Sequence, residues 1–429
     1  ILIYGCNVAE SAEGKSFVGA FAELTGADVA ASNDITGVGG DAEFEIQFGS
    51  VETEILLSQE QLEAAGVSLA DVDANAVTTR ADLQTLIDGA TAGDRIKFST
   101  DKTITFDGTA ITINKDLTIH ATSAANVIFD GNAAGQLFII NNSSDVTFNN
   151  LDFINASINN GGAAIRANNG GNLTINDSRF EDNTATASTN GGAIYVGTGG
   201  SLNIERSSFI RNTAGQRGGA LYSLSGATIT DTTFTNNDAD DTVSRAAYTA
   251  YIGNGTNNTI SNSTITDSKT RTDADEDALL QFAFTSGDNT LTNVNAESAS
   301  GTIMAFESAR YILNNSVFDT GGTDVAIFFG ASRVINNSII NGGFTGGNVN
   351  SSTNTWWSGG LLAVGTNNID GTQAGQMFAD LQLGALADNG GPVQTRLLGS
   401  GSIAINAGSG NLILDARGES ATSTNDIGA

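Results

Sequence analysis

Hydrophobic and polar residues alternate along most of the chain in short runs that suit β-strands. From residue 96 to about residue 345, apolar positions recur two residues apart, and the runs are separated by Gly, Asn, Asp, Ser and Thr. A step of two keeps side chains on one face of a strand, and the separating residues favour tight turns. The pattern therefore predicts many short strands joined by turns.

One pattern repeats through the middle of the chain. LTINDSRFEDNTA (173–185), LNIERSSFIRNTA (202–214) and ATITDTTFTNNDA (227–239) align at positions that follow steps of two, three, two, three and two. A step of three keeps a side chain facing inward only if the chain turns a corner there. Each copy therefore predicts one rung of a coil with several flat sides, whose marked residues all face the interior.

Weaker copies of the pattern extend it in both directions. The anchor positions are Phe153, Phe180, Phe209, Phe234, Ile265, Ala296, Phe318 and Ile340. Successive gaps of 27, 29, 25, 31, 31, 22 and 22 residues are typical of stacked rungs in a β-solenoid. Because parallel crossovers are almost always right-handed, the predicted fold is mainly β, a right-handed parallel β-helix.

Polar positions of the repeat predict ladders along the rod. Asn183, Asn212 and Asn237 recur at one corner, where stacked amides can hydrogen-bond from rung to rung. Ser178, Ser207 and Thr232 recur at a second position. The alternative interpretation is that these residues are chosen for local turn geometry alone; both interpretations require the solenoid.

The repeat also resembles a known family. GGAAI (161–165), GGAIY (191–195) and GGALY (218–222) alternate with FEDN, FIRN and FTNN. This is similar to the paired GGAI and FxxN repeats of polymorphic outer-membrane proteins and related bacterial adhesins. The resemblance covers about residues 155–240 closely and extends weakly to about 345, and it implies a cell-surface right-handed parallel β-helix.

Both ends of the solenoid have distinct patterns. TTRADLQTLIDGATAGD (78–94) predicts a short amphipathic helix with Thr79 as N-cap and Asp82 three residues later, and it resembles the N-terminal cap of pectin-lyase-like β-helices. The last segment resembles the anchor-type segment that follows such surface β-helices. The predicted organisation is the C-terminal part of an α/β domain (1–50), an acidic linker (51–77), a capping helix (78–95), the β-helix (96–385) and a truncated C-terminal anchor-type segment (386–429).

Composition narrows the classes of partner. The chain has 47 acidic and 18 basic residues and a net charge of −29, so nucleic acid and anionic membrane surfaces, which attract basic patches, are excluded as expected partners. One cysteine excludes an internal disulfide. No apolar run approaches the ~18 residues of a membrane-spanning helix, so no membrane insertion by this fragment is expected.

The lone cysteine lies in ILIYGCNVAE, at the end of a predicted strand. This N-terminal stretch resembles the last part of a domain of unknown function of giant bacterial surface proteins, whose GCNVA strand is reminiscent of caspase-like proteases. A cysteine nucleophile needs a base, and the single histidine, His120, lies in a predicted solenoid strand. Two interpretations of Cys6 stay open: a buried, inert residue, or a remnant nucleophile without its base. We expect His120 to be structural.

Acidic insertions occupy the two longest repeat intervals. They contain Asp238, Asp240, Asp241, Asp273, Asp275, Glu276 and Asp277. Three hypotheses stay open: a calcium site made of hard oxygen ligands, a carboxylate pair for glycoside hydrolysis, or solvated acidic loops. An EF-hand is excluded, because Ala278 stands at the position that requires glycine and Phe284 at the position that requires glutamate.

Two adjacent tryptophans form a further candidate site. Trp356 and Trp357 lie in NTWWSGG and would face opposite sides of a strand. An exposed tryptophan can stack on a sugar ring, which makes the pair a candidate carbohydrate-binding site; the alternative is that both pack under a terminal loop.

These patterns predict a non-enzymatic adhesin or structural stalk, a fragment of a large bacterial protein, secreted or exposed on the cell surface in association with the outer membrane. The expected partner is a host or cell-surface carbohydrate or protein. No cofactor is required, and calcium is the one that the sequence could accommodate. The alternative is a polysaccharide lyase or glycoside hydrolase of the pectin-lyase-like β-helix class.

Overall fold

The computed structural model describes most of the chain from residue 71 onward and part of the N-terminal region. The described residues are 2–3, 12–25, 29–31, 46–48, 71–168, 170–186, 189–239, 247–253, 257–267, 278–283, 287–299, 302–306, 310–320, 325–328, 332–345, 349–353, 355–357, 365–366, 369–370, 377–407, 417 and 426.

The N-terminal region contains a helix, Ala12–Thr25, beside three short strands. Leu2–Ile3 pairs in parallel with Val29–Ala31, which pairs antiparallel with Ile46–Phe48. The described elements of this region therefore follow the order strand, helix, strand, strand; the assignment of residues 1–50 to the C-terminal part of an α/β domain stays a prediction. Cys6 and the GCNVA motif lie outside the described residues.

A second helix, Arg80–Gly89, begins as the sequence predicts. The Thr79 hydroxyl accepts a hydrogen bond from the Asp82 amide at 3.1 Å, and the Asp82 carboxylate accepts one from the Thr79 amide at 2.9 Å. This reciprocal pair is a capping box. Leu83 and Ile87 are buried against the first rungs, and the side chain of Gln84 pairs with the backbone of Thr112. The helix therefore covers one end of the coil and its strand edge.

The coil itself is a parallel solenoid built from three sheets of the described residues. The largest sheet, called here the wide sheet, supplies two strands to most rungs on either side of a bend. Its strands are Asp71–Asp73, Arg95–Phe98, Lys102–Thr105, Leu117–Ala121, Val127–Asp130, Val146–Asn149, Asp152–Ile154, Asn172–Asn176, Arg179–Glu181, Ser201–Glu205, Ser208–Ile210, Gly226–Thr230, Thr233–Thr235, Thr259–Asp267, Asp288–Ser298, Arg310–Asn314, Val317–Asp319, Ser332–Asn336, Ile339–Asn341, Val349–Thr353, Trp356–Trp357, Gly365–Thr366 and Ile369–Asp370.

Two further sheets complete the rungs. The opposing sheet consists of Ile111–Ile113, Phe138–Ile140, Ile165–Ala167, Ile194–Val196, Leu221–Ser223, Ala247–Gly253, Ala278–Ala283, Thr302–Phe306, Val325–Phe328 and Gly343–Thr345. The small sheet consists of Ser157–Ile158, Thr184–Ala185, Thr213–Ala214 and Asp238–Ala239. All of their pairings are parallel, and the protein is a right-handed parallel β-helix.

The anchor residues stack in register, as predicted. Phe153, Phe180, Phe209, Phe234, Ile265, Ala296, Phe318 and Ile340 are successive partners along the wide sheet. The rings of Phe153, Phe180 and Phe209 are nearly parallel, with centroids 4.6 and 4.7 Å apart. Every anchor is buried, so one apolar column runs through the interior and stays in register from Phe153 to Ile340.

The predicted polar ladders are present and buried. The Asn183 Nδ2 donates to Asn212 Oδ1 at 2.9 Å, and the Asn212 Nδ2 donates to Asn237 Oδ1 at the same distance. The hydroxyl of Ser207 accepts from the Ser178 amide, and that of Thr232 accepts from the Ser207 amide. The amide ladder is therefore a structural feature, in addition to any local preference for turns.

The corners of each rung depend on left-handed backbone conformations. At the two bends beside the wide sheet φ lies between 47° and 56° at Asn150, Asn155, Asp177, Asp182, Arg206, Arg211, Asp231, Asn236, Asn262, Asn293, Asn315 and Asn337. Asn and Asp tolerate this conformation better than most residues. The third corner uses glycine: Gly162, Gly191 and Gly218 have φ of 72°, 75° and 69°, which explains the repeated GG pairs.

The C-terminal described segment lies against the wide sheet. A 3₁₀ helix, Phe378–Leu381, is followed by isolated antiparallel bridges between Leu383 and Leu398 and between Ala387 and Thr395. Leu381 packs with Val317 and Ile339. No helix among the described residues is both long and apolar enough to span a membrane.

Candidate functional site

Most site residues predicted from the sequence lie outside the described residues. These are Cys6, Asp240, Asp241, Asp273, Asp275, Glu276 and Asp277. Asp238 is described: it is in the last strand of the small sheet, in register with Thr213. Within the described ranges no group of three or more His, Cys, Asp or Glu residues could hold a metal ion. The calcium site and the carboxylate pair stay predictions.

The two tryptophans form a strand of the wide sheet. Trp356 pairs with Ile339, and Trp357 pairs with Ile340, which is the last of the anchor residues. On the other side they pair with Ile369 and Asp370. The strand that contains both tryptophans is thus part of the solenoid. Their side chains are not among the described parts of the structure. Binding of carbohydrate at this point stays a prediction.

His120 contacts a group of acidic and basic side chains on the first rungs. It is 7% exposed, and its Nε2 lies 3.2 Å from Asp71 Oδ1. Lys97 Nζ lies 2.9 Å from Asp71 Oδ2, and Arg95 Nε lies 3.5 Å from Asp71 Oδ1. We call Asp71, Arg95, Lys97 and His120 the charged cluster. His120 is therefore paired within the solenoid, as expected of a structural histidine.

The basic side chains of the charged cluster lower the pKa of the Asp71 carboxyl group. Burial by itself would raise the pKa of Asp71, but hydrogen bonds with His120 and Lys97 and the positive charge of Arg95 outweigh it and lower the pKa to about 2. Asp71 is therefore ionised at neutral pH and serves as the shared anion of three basic side chains.

A row of tyrosines lies on the opposing sheet. Tyr195, Tyr222 and Tyr251 are register partners in successive strands and follow Arg166. Their rings are stacked, with centroids 5.5 Å and 4.5 Å apart and interplanar angles of 10° and 9°. Stacked rings at these distances attract one another. We call these three residues the tyrosine row.

Two arginines contact the tyrosine row. The Arg166 guanidinium carbon lies 4.5 Å from the Tyr195 ring centroid, and that of Arg217 lies 5.4 Å from the Tyr251 centroid. Both distances are within the range of cation–π attraction. The row thus combines aromatic edges, phenol hydroxyls and positive charge on one side of an otherwise acidic protein.

The phenol group of Tyr222 stays protonated at neutral pH. Tyr222 is 9% exposed, and burial, together with the neighbouring Tyr251 and Tyr195, raises its pKa to about 12, although Arg217 acts in the opposite direction. A protonated phenol can both donate and accept a hydrogen bond.

The tyrosine row was missed by the sequence reasoning, which treated the GGAIY and GGALY motifs as corners. A signal was present: Tyr195 and Tyr222 each occupy the second position after GGA, and Tyr251 follows at a similar interval in YTAYIG. Aligning the copies on the paired glycines, rather than on the phenylalanines, would have placed Tyr195 and Tyr222 in one column, whereas the copy with Tyr251 has no glycine pair.

Comparisons with known proteins support the fold. Residues 126–273 match a family model described as a right handed beta helix region, and residues 1–67 match a domain of unknown function, DUF4347. A comparison with curated proteins finds no match.

Two solved structures are similar to this chain at low identity. One is described as "a new PL6 alginate lyase complex with trisaccharide", with 16% identity, a TM-score of 0.40, and coverage of 64% of this chain and 60% of that one. The other is ORF18 of Geobacillus virus E2, with 12% identity, a TM-score of 0.38, and coverage of 79% and 72%. The chain thus spans 60% of the length of the lyase.

Proposed function

We propose that this protein is a non-enzymatic stalk with adhesive surfaces, secreted or exposed on a bacterial cell surface in association with the outer membrane. The observation that carries the proposal is the continuity of the interior: the phenylalanine column and the asparagine ladder join successive rungs without a change of register. Such a rod transmits force and holds a binding surface away from its point of attachment.

The ladders favour a mechanical role because they add bonds along the rod axis. The side-chain amides of Asn183 and Asn212 each donate both to the next amide of the ladder and to a backbone carbonyl, as Asn212 does with Asn237 and Phe180. Charged pairs add further links between rungs on the surface, for example Arg206 Nε to Asp177 Oδ1 at 2.7 Å. Buried hydrogen bonds of this kind contribute more than exposed ion pairs.

The adhesive part of the proposal depends on the tyrosine row. Aromatic rings and arginines are enriched where proteins bind partners. The half-buried residues Arg166 and Tyr195 lie on adjacent strands of the opposing sheet, and the half-buried Arg217 lies at the corner beside it. We propose a carbohydrate or protein of a host or bacterial surface as the partner.

Adhesion and turnover can be tested together. Beads coated with the full chain would be passed over polysaccharide films and over cells, with albumin-coated beads as the control. We expect the coated beads to be retained, while the solution gains neither ultraviolet absorbance from unsaturated sugars nor reducing ends. Loss of retention would contradict the adhesive role, and product formation would contradict the non-enzymatic role.

A second candidate function is cleavage of polysaccharide by a lyase or hydrolase activity. The observation that favours it is the charged cluster, which combines a carboxylate, a histidine, a lysine and an arginine on neighbouring strands. Against it, the Asp71 and His120 side chains are each 8% exposed and already paired with one another.

The enzymatic alternative has its own test. Uronate-rich polysaccharide would be incubated with the wild-type chain, His120→Gln and Asp275→Ala, and followed by ultraviolet absorbance and by a reducing-end assay. Activity that is lost in either variant would replace the stalk proposal with an enzyme, and would show whether the charged cluster or the acidic insertion carries the reaction.

We propose calcium as the one ion that the acidic insertions around Asp238 and Asp275 would take, since several carboxylates on adjacent repeats supply hard oxygen ligands. Calorimetric titration with calcium chloride tests this directly. Heat of binding that disappears in Asp275→Ala is the expected result, and no heat at millimolar calcium would remove the proposal.

A further inference from the structure

We propose that Arg217 and Asn190, at the glycine corner beside the tyrosine row, bind a sugar acid, that is, a saccharide unit that carries both a carboxylate and hydroxyl groups. This inference rests on the adhesive function proposed above and names the ligand class for that surface.

Arg217 differs from the other arginines whose side chains are described. Arg95, Arg179, Arg206, Arg211 and Arg396 each pair with a carboxylate, and Arg80 lies near Asp107. Arg166 donates to the side chains of Asn160 and Asn168. Among the described residues, Arg217 has neither an ion pair nor a hydrogen bond to its side chain, and its shielded Nε has no acceptor.

An unused acceptor lies on the adjacent rung. Asn190 and Arg217 are partners in an isolated parallel bridge, so their backbones are neighbours along the rod. The Asn190 Oδ1 is shielded from solvent and accepts no hydrogen bond from the described residues. Two residues with adjacent backbones thus each hold a shielded polar atom that has no hydrogen-bond partner among the described residues, which is uncommon in native proteins.

The glycine corner brings Asn190 close to an aromatic ring. The corner is tight: a Cβ on Gly161 would lie 2.3 Å from the Asn190 carbonyl oxygen and 3.1 Å from Tyr195 Cδ2. Asn190 and Tyr195 therefore meet at Gly161, and both are half-buried, as is Arg217. The Arg217 guanidinium carbon lies 5.4 Å from the centroid of the Tyr251 ring, within the range of cation–π attraction.

The two unpaired groups define the ligand by their chemistry. A guanidinium matches the planar geometry of a carboxylate, and an amide oxygen accepts a hydrogen bond from a hydroxyl. A sugar acid supplies both groups on one small ring. Acetate lacks the hydroxyl donor, glucose lacks the carboxylate, and sulfate lacks the donor as well.

The net charge of −29 strengthens the assignment. In a chain with so few cations, an arginine that is left without a carboxylate is a specific place where an anion is tolerated. The surrounding acidic surface disfavours long polyanions at low salt, so we expect recognition of one acidic unit rather than of a charged stretch.

Titration calorimetry of the full chain with sodium glucuronate tests the proposal, with glucose, sodium acetate and sodium sulfate as comparison ligands. We expect glucuronate to bind at least about ten-fold more tightly than any of the three, since one hydrogen bond to a charged group corresponds to about that factor. Arg217→Gln should weaken glucuronate binding by about ten-fold or more. Asn190→Ala should reduce the preference for glucuronate over acetate.

Arg206→Gln is the matched control, because it removes the same charge from the same rung on another face, where Arg206 pairs with Asp177. We expect its affinity for glucuronate to match the wild type. Circular dichroism melting of each variant establishes that it is folded, and Arg217→Lys provides a second variant that keeps the charge but not the fork of donors.

Three results would overturn the proposal: no glucuronate binding at tens of millimolar, equal affinity of folded Arg217→Gln and wild type, or sulfate binding as tight as glucuronate. Retention of coated beads does not depend on this site alone. Retained beads without glucuronate binding would refute the ligand class and leave the adhesive function intact, whereas glucuronate binding without retention would refute adhesion.

Discussion

At the scale of single residues, Asn212 illustrates how one side chain links three rungs. Its Oδ1 accepts from both the backbone and side-chain amides of Asn183, at 3.1 and 2.9 Å. Its Nδ2 donates to the Phe180 carbonyl and to Asn237 Oδ1. The side chain is fully buried, so no water can replace these bonds if the amide is lost.

Replacing Asn212 with alanine should therefore destabilise the solenoid. The Asn183 amide and the Phe180 carbonyl would each lose a partner in a dry interior, and we expect the free energy of unfolding to fall by about 3 kcal/mol. Urea denaturation followed by circular dichroism measures this. Asn203→Ala, on the exposed face of the same rung, should change stability by less than about 0.5 kcal/mol. Equal effects in the two variants would contradict a structural role for the ladder.

Asp71 makes a residue-scale prediction about pH. Its pKa is about 2 in the folded chain against an ordinary value of 3.8, so its ionised form stabilises the fold fully above pH 4 and loses this effect as the pH falls towards 2. Asp71→Asn should lower the free energy of unfolding by about 2 kcal/mol at pH 7.

The difference between Asp71→Asn and the wild type should shrink as the pH is lowered from 4 to 2, in denaturation curves recorded at several pH values. Asp73→Asn serves as the control, because Asp73 is exposed on the same strand and bonds only to the nearby Asn75 amide among the described residues. If the difference in the free energy of unfolding between the wild type and Asp71→Asn stayed constant down to pH 2, the charged cluster would not be what lowers the pKa of Asp71.

At the scale of elements, the glycine corner decides how the opposing sheet joins the rest of a rung. Gly191 has φ of +75°, and a Cβ at this position would lie 2.3 Å from the Ile194 carbonyl oxygen. The chain must turn sharply here because Gly192 and Ala193 bond to the next rung immediately afterwards. Both backbone conformation and space therefore require glycine.

Gly191→Ala should cost at least about 2 kcal/mol, because it combines left-handed strain with a backbone clash. Gly89→Ala is the contrast: Gly89 ends the capping helix, and a Cβ there would meet no atom within 4 Å. We expect that variant to be neutral or slightly more stable. Thermal melting of both variants in parallel measures the difference, and a neutral Gly191→Ala would contradict the steric account of the corner.

At the scale of the whole molecule, the segment 377–407 covers part of the outer face of the wide sheet. Arg396 Nε donates to Glu297 Oε1 at 2.6 Å, and the Thr264 hydroxyl donates to the Gln394 carbonyl at 2.7 Å. Leu381 and Ala404 cover Val317 and Ile339. These contacts span several rungs, so the segment fastens the wide sheet along its length.

Leu381→Ala should loosen this segment without unfolding the rod. The fully buried leucine leaves a cavity worth about 3 kcal/mol when truncated, and we expect proteases to cut residues 377–407 faster while the core rungs stay resistant. Leu397→Ala is the control, since Leu397 is 46% exposed. Cleavage of the wild type and Leu381→Ala at equal rates would show that Leu381 does not hold the segment.

The sequence alone determined the features that repeat. The phenylalanine column, the Asn183–Asn212–Asn237 ladder and the Thr79 cap follow from local spacing, and the structure confirms them. They are predictable because parallel stacking places equivalent positions of each copy above one another, so one period fixes many contacts. The candidate residues in the acidic insertions break that period, and their arrangement was therefore not fixed by it.

Only the tertiary structure decided which partners particular charged side chains have. The pairing of Asp71 with His120 joins residues 49 positions apart, and that of Arg396 with Glu297 joins residues 99 apart. Neither pair belongs to the repeat. Likewise, Arg166 and Arg217 flank similar tyrosines, yet only Arg166 has hydrogen-bonding neighbours among the described residues. Periodicity specifies which residues stack, but the partners of a charged group depend on three-dimensional surroundings that a repeat does not encode.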